Sequence, residues 1–272
     1  LIARCALRVV TSLPVAPALA RTNFRGRTVT LAGGPALAVA ASSTAALGAP
    51  SHPAAAAALV AGLGSGAVGL YDDVVGGRPE QKAAKGFAGH LGALRHGRVT
   101  SGLVKVAGVG AAGLAAAALL AADPTVRSRR SHRGGLGQAA DLLLGAGVIA
   151  GTANLVNLLD LRPGRALKAG VLLGAPLLPG PTGGLAAGAV GAAAGLLPAD
   201  LNEEIMLGDC GANALGALLG VALAARTGPV GRAGILTALV ALTAASEKVS
   251  FTQVIQNTRG LRELDALGRR PA

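Results

Sequence analysis

What most constrains this chain is a recurrence of long runs built from Ala, Gly, Leu and Val and almost free of charge. A helix crossing a bilayer needs about 20 mostly apolar residues, with a range of about 17–25. Candidate runs are Leu7–Ala20, Val29–Ala49, Pro53–Tyr71, Ser101–Ala122, Gln138–Leu159, Ala166–Leu178, Gly183–Pro198, Gly211–Ala225 and Val230–Ser246. They predict an all-α polytopic membrane bundle of about nine transmembrane helices over residues 1–246, followed by a basic tail over 247–272. Composition excludes the main alternatives. Only 14% of the 272 residues are charged and 51% are hydrophobic, whereas a soluble domain carries about 25% charged residues. Disordered chains are poor in apolar residues and rich in charge. Leu1–Ala20 reads as a first span rather than a cleaved leader. In the tail, Val254, Ile255, Leu261, Leu264 and Leu267 alternate with polar and basic residues, a pattern that suits an interfacial amphipathic helix.

The net charge of +12 invites a nucleic-acid reading, but the chain has no Trp, one Tyr and three Phe. Single-stranded nucleic acid is bound on aromatic stacking platforms, and no duplex-reading motif is present, so nucleic acid is not an expected partner. The basic residues lie mainly between apolar runs, where anionic lipid head groups attract them. With nine alternating spans, 16 of the 25 Lys and Arg fall on one face and 8 on the other, with Lys105 just inside a span. The richer face is expected to be cytoplasmic, which predicts a multi-pass protein of the plasma (inner) membrane. Arg127, Arg129, Arg130 and Arg133 run against that rule. Cys5 and Cys210 are the only cysteines, too few for a disulfide framework or a Cys-based zinc site.

A carboxylate inside a bilayer is costly, so the positions of the acidic residues carry information. Asp72 and Asp73 close the third run, Asn154, Asn157 and Asp160 close the fifth, and Asp200, Glu203, Glu204 and Asp209 lie between the seventh and eighth. Alternation puts all of them on the lysine- and arginine-rich face. Two adjacent carboxylates raise one another's pKa unless a cation neutralises them. Mg²⁺ commonly takes one or two carboxylates plus substrate phosphates; the alternative for Asp72-Asp73 is a solvated helix end. Asn154, Asn157 and Asp160 are spaced at i, i+3 and i+6, with polar groups able to bind a base, a phosphate or a cation; hydrogen bonding between helices is the equal alternative. Gly208-Asp209-Cys210-Gly211 precedes an apolar helix, so its glycines, Gly211 included, and the first free N–H groups suit an anion, with Asp209 able to hold a metal. A plain N-cap turn is the alternative there. Lys82, Lys85 and Lys105 follow the aspartate pair as membrane-surface cations or point charges for phosphates. Gly64, Gly66 and Gly69 match G-x-G-x-x-G, but no strand precedes them, so they read as packing.

Taken in order, Asp72-Asp73, Asn154…Asn157…Asp160 and Gly208-Asp209-Cys210-Gly211, followed by Leu215-Gly216, resemble the motifs of the polyprenyl-phosphate N-acetylhexosamine-1-phosphate transferase family. The resemblance runs from about Arg21 to Arg226 and implies a membrane enzyme of cell-envelope glycan synthesis. Such an enzyme moves a sugar-1-phosphate from a UDP-sugar to polyprenyl phosphate and releases UMP, with Mg²⁺ as cofactor. It implies Asp72, Asp73 and Asp160 as catalytic residues, and Asn154, Asn157, Lys105 and Gly211 as substrate-binding residues. Asp209 with Asp72 would hold the metal. Its partners would be the lipid bilayer, polyprenyl phosphate and the UDP-sugar, with a homodimer compatible with it. Three departures mark the chain as a divergent member. Pro163 stands where many members have a further aspartate, Ser246–Phe251 has no histidine, and Ala212 replaces a serine. They leave open a catalytically silent member that binds polyprenyl phosphate or envelope-assembly partners. A transporter is disfavoured, because the acidic residues sit at helix ends on one side rather than near the midplane.

Overall fold

The computed structural model describes residues 1–76, 78, 86–124 and 134–270. Lys82, Lys85, Arg127, Arg129, Arg130 and Arg133 lie outside the described residues. The chain is 77% helical. Helix α1 (Ile2–Ser12) leads into a short antiparallel hairpin of β1 (Ala20–Thr22) and β2 (Thr28–Thr30), with Arg21 opposite Val29. Then follow α2 (Gly33–Leu47), α3 (His52–Val75), α4 (Gly86–Arg95), α5 (Ser101–Ala122), α6 (Gly135–Leu159) and α7 (Arg165–Gly174). The chain continues through α8 (Gly183–Leu201), α9 (Gly208–Arg226), α10 (Pro229–Ser246), α11 (Phe251–Asn257) and α12 (Arg259–Ala266).

Among the described residues six helices are long and apolar enough to cross a membrane: α3, α5, α6, α8, α9 and α10. The expected count of about nine differs at three segments. Leu7–Ala20 is not one helix, because α1 ends at Ser12 and Pro14 and Pro17 lie in the turns that follow. Val29–Ala49 begins in a strand, where the β-branched Thr28, Val29 and Thr30 favour extended backbone, and its helix runs only from Gly33 to Leu47. Ala166–Leu178 is the ten-residue α7 continued by a single tighter turn containing Pro176.

Helix α9 is the axis of the bundle, with 83% of its spanning window buried, against 11% for α10. It packs on α2, α3, α6 and α8. The reason lies in its small residues. A Cβ on Gly216 would come within 2.5 Å of the carbonyl oxygen of Thr152 in α6, and one on Gly220 within 2.6 Å of the Ile149 Cα. Small residues thus let two backbones approach, as membrane helices require where lipid supplies no hydrophobic drive for association. The opposite situation holds for α10, whose exposed Val240 and Leu242 give it an outward apolar face.

The end of the bundle away from the carboxylate motifs is tied by polar pairs. Ser51, which caps α3 by accepting from the Ala54 N–H, donates its hydroxyl to the buried Asp123 at the end of α5. Arg232 of α10 is 2% exposed; it donates to Asp141 of α6 at 2.7 Å and to the carbonyl of Ala224 at 3.0 and 2.6 Å. Removing one partner of such a buried pair leaves the other charge uncompensated, at about 3–5 kcal/mol. Arg232→Ala is therefore expected to destabilise the protein by about 3–5 kcal/mol, read as a lowered thermal midpoint in lipid. Arg232→Ala together with Asp141→Ala is expected to lose less than Arg232→Ala alone.

Candidate active site

The C-terminal ends of α3, α6 and α8 and the N-terminal ends of α5 and α9 meet at the other end of the bundle. Lys105, in the second turn of α5, reaches both motif aspartates. Its ammonium lies 2.9 Å from Oδ2 of Asp72 and 2.5 Å from Oδ2 of Asp209. Two carboxylates that are far apart in the sequence thus converge on one cation. Asp73, next to Asp72, does something different. The backbone N–H groups of Asp209 and Cys210 donate to its two oxygens, each at 2.9 Å. Asp73 is a cap supplied by α3 to the start of α9, where helix N–H groups lack intrahelical partners. The join is tight. Gly208 has φ +59 and a Cβ there would meet both Asp73 oxygens at 2.8 Å, while a Cβ on Gly69 would stand 2.3 Å from the Asp209 carbonyl oxygen. Gly69 of the glycine motif is accordingly a packing residue within α3.

Asn157 and Asp160 border the same region. A cavity of about 430 Å³ carries Asp73, Asn157, Asp160, Gly208, Asp209 and, from β1, Arg21 alongside Leu31, Leu158, Leu161 and Met206, and is the more polar of the two cavities at this end. Burial, together with the carboxylates of Asp200, Asp209 and Asp73, pushes the Asp160 carboxyl well above the ordinary range, while the Gly208 N–H pulls the other way. A second cavity of about 490 Å³ is mainly apolar, lined by Val106, Val109, Leu236 and Leu239, and is bordered by Lys105 and Asn157. Asn157 therefore belongs to both cavities. Asn154 borders the apolar cavity too, and its amide donates to Thr243 of α10 at 3.0 Å, so it also carries the interhelical role open to it in the sequence. Gly211 is buried, and a Cβ on it would meet the Gly34 Cα of α2 at 2.9 Å, so close helix packing requires this glycine.

Four features are invisible in the motifs. Arg21 enters the polar cavity from a hairpin of three-residue strands, and its guanidinium donates to the Asp73 carbonyl at 2.9 Å. Glu203, at φ 57, anchors that hairpin by accepting from Asn23 at 2.7 Å and pairing with Arg25 at 3.1 Å. Asp200 accepts from the Gly164 N–H at 2.7 Å. Asn213 borders the apolar cavity with its buried amide nitrogen unpartnered among the described residues; its one sequence signal is an amide within an apolar helix.

Mg²⁺ can be tested against the donor set. Among the described residues no cluster of three His, Cys, Asp or Glu is arranged for a metal. Asp72 and Asp209 nevertheless supply two hard oxygen donors that already converge on one cation, and one or two carboxylates are the protein share Mg²⁺ commonly takes beside substrate phosphates. These two carboxylates are the donors present for such an ion, and the Lys105 ammonium stands between them. No protein-family model, curated protein or solved structure matches the chain.

Proposed function

We propose that the chain is a membrane phosphoglycosyl transferase of the polyprenyl-phosphate N-acetylhexosamine-1-phosphate transferase family, acting in cell-envelope glycan synthesis. It moves a sugar-1-phosphate from a UDP-sugar to polyprenyl phosphate and releases UMP. One juxtaposition carries the reading: Asp72, Asp209 and Lys105 meet at the border between a polar cavity, which holds Asn157 and Asp160, and an apolar one. A reaction between a nucleotide sugar and a lipid phosphate needs such a border.

In the reaction an oxygen of the lipid phosphate bonds to the β-phosphorus of the donor. The bond from that phosphorus to the bridging oxygen breaks, and UMP leaves with the oxygen and the electron pair. Protein work in phosphoryl transfer is mostly positioning and electrostatics. Lys105, released by either carboxylate, offers a point charge to a phosphate at the mouth of the apolar cavity, which suits a prenyl tail. Arg21 offers a second on the polar side. Asp72 and Asp209 would hold Mg²⁺, which supplies neutralisation of the diphosphate charge. Asp73 fixes the start of α9 and so the position of Asp209.

The lysine and arginine count over nine crossings supports a cytoplasmic seat for this face, at the plasma (inner) membrane. We count α1, α2 and α7 as shorter membrane-embedded helices beside the six spans, which gives about nine. The exposed Leu261, Leu264 and Leu267 of the tail support an interfacial seat for residues 247–272.

The full chain in lipid with Mg²⁺, undecaprenyl phosphate and a panel of UDP-sugars is expected to release UMP, and to stop when either the lipid phosphate or the metal is withdrawn. A second reading, the catalytically silent member, draws on Lys105 filling the cation position between Asp72 and Asp209. Binding of undecaprenyl phosphate by folded protein, with no UMP from any donor, would select it.

A further inference from the structure

The loop from Asp160 to Gly164, between α6 and α7, borders the polar cavity and a neighbouring cavity of about 290 Å³ that contains Phe24, Asp160, Arg162 and Asp200. Its backbone bonds tie Asp160 and Leu161 back to α6 and the carbonyls of Arg162 and Gly164 forward to α7, while Pro163 has no N–H to give. It is also held from two sides by other elements. On one side Asp200 accepts from the Gly164 N–H, and the Arg162 guanidinium lies 4.4 Å from the centre of the Phe24 ring. On the other side stands the C-terminal tail.

Among the described residues, most polar contacts of the tail with the rest of the chain fall on the loop or on the first turn of α7. Arg269 donates from Nε to the carbonyl of Pro163 at 2.7 Å. Arg165, 5% exposed, donates from Nε and Nη2 to the two oxygens of Asp265 at 2.8 and 3.0 Å, and from Nη1 to the Thr252 hydroxyl at 2.9 Å. Asp265 also receives both terminal nitrogens of Arg269, at 2.9 and 2.6 Å. Lys168 donates to the carbonyls of Leu264 and Asp265 at 3.0 and 2.9 Å. One carboxylate therefore holds two guanidinium groups, each through two hydrogen bonds, the strong and directional form of this contact. Burial works against its charge, but the hydrogen bonds from Arg165 and Arg269 hold the Asp265 carboxyl below the ordinary carboxylate range.

A tail that merely rested on the surface would need none of this aim. Arg269 reaches past α7 to the loop itself, three residues beyond Asp160, and Asp265 keeps it extended in that direction. From the hairpin side, Arg25 donates to the Arg270 carbonyl at 3.2 Å, so the tail also touches the segment that carries Phe24. We infer that the end of the tail, α12 with the residues up to Arg269, is an intramolecular clamp on the Asp160–Gly164 loop, with Asp265 as the positioning residue that keeps the cavities bordered by the loop in register. The consequence for turnover rests on the transferase reading; the clamp itself does not.

The test uses the full chain in lipid nanodiscs, with hydrogen exchange read by mass spectrometry and steady-state kinetics on UDP-sugar and lipid phosphate. In Asp265→Ala, exchange at the amides of Leu161, Arg162, Gly164 and Arg165 is expected to rise at least about tenfold, the scale of one lost charge-assisted hydrogen bond. KM for the UDP-sugar should rise about tenfold while kcat and KM for lipid phosphate change less than about threefold. Asp265→Glu should restore most of the protection. Should Asp265→Ala fail to fold, Arg269→Leu removes the Pro163 contact and leaves the Arg165–Asp265 pair, with the same loop-specific rise expected. Faster exchange in α11 and α12 with unchanged protection of Leu161, Arg162, Gly164 and Arg165 and unchanged KM would overturn the clamp. If the wild-type chain releases no UMP with any donor, the transferase reading fails, and the exchange data still decide the clamp.

Discussion

Asp209→Asn is expected to lower UMP release by about a hundredfold to a thousandfold, the scale seen when one preorganised group is removed from a charge-stabilising site. The side chain is one of two carboxylates that converge on the Lys105 ammonium. Its amide replacement keeps the shape and loses the charge. Folding should survive, because α9 is started by backbone N–H groups donating to Asp73, not by the Asp209 side chain. A thermal melt within about 3 °C of wild type, with UMP release lowered on that scale, is the predicted pair of readings. Turnover within threefold of wild type would remove Asp209 from the site.

Gly69→Val should be as damaging, although glycine has no side chain to bind anything. A Cβ at this position would lie 2.3 Å from the carbonyl oxygen of Asp209, 2.5 Å from its carbonyl carbon and 2.7 Å from the Cys210 nitrogen. All three are backbone atoms, which cannot step aside as a flexible side chain does. Overpacking costs about 1–3 kcal/mol where a core can adjust and more where it cannot. Here α3 and α9 must separate, and the separation breaks the Asp73 cap and draws Asp209 away from Lys105. The expectation is a lowered thermal midpoint together with a loss of UMP release of at least about a hundredfold. Gly110→Ala is the matched control. A Cβ there meets nothing within 4 Å, and alanine in a helix is worth about 1 kcal/mol over glycine, so stability should hold or rise. Activity in Gly69→Val close to that of Gly110→Ala would mean that the α3–α9 contact does not set the site.

These two residues also mark what the sequence makes legible. Asp209 stands in a short motif at the start of an apolar run, and alternation brings it to the same face as Asp72 and Asp160 when Ala166–Leu178 is counted as a crossing. Gly69 belongs to a glycine pattern whose packing role is readable from its place inside a span, but which backbone it meets is not. The cap made by Asp73 is a tertiary contact between residues that are distant in the chain, so no local spacing announces it. The hairpin is hidden for another reason: its strands are three residues long, too short for alternation to register, and Val29 reads as the start of an apolar run. Hydropathy also misjudges Ala166–Leu178, since it counts Pro176 with its neighbours although proline cannot continue the hydrogen-bonded turn. Arg165 and Asp265 illustrate the same limit in the tail, where an amphipathic pattern suggests a membrane seat and says nothing of the two-armed ion pair that docks it.

The most direct measurement of the central claim follows the β-phosphate. A UDP-sugar labelled at its β-phosphorus is incubated with the full chain in lipid, Mg²⁺ and undecaprenyl phosphate, and the label is traced between the lipid extract and the aqueous phase. The account predicts label in the lipid in one-to-one amount with UMP, and about a hundredfold to a thousandfold less with Asp209→Asn. Label that stays in the donor in the presence of folded wild-type protein, or that leaves as free sugar-1-phosphate with no lipid product, would contradict it.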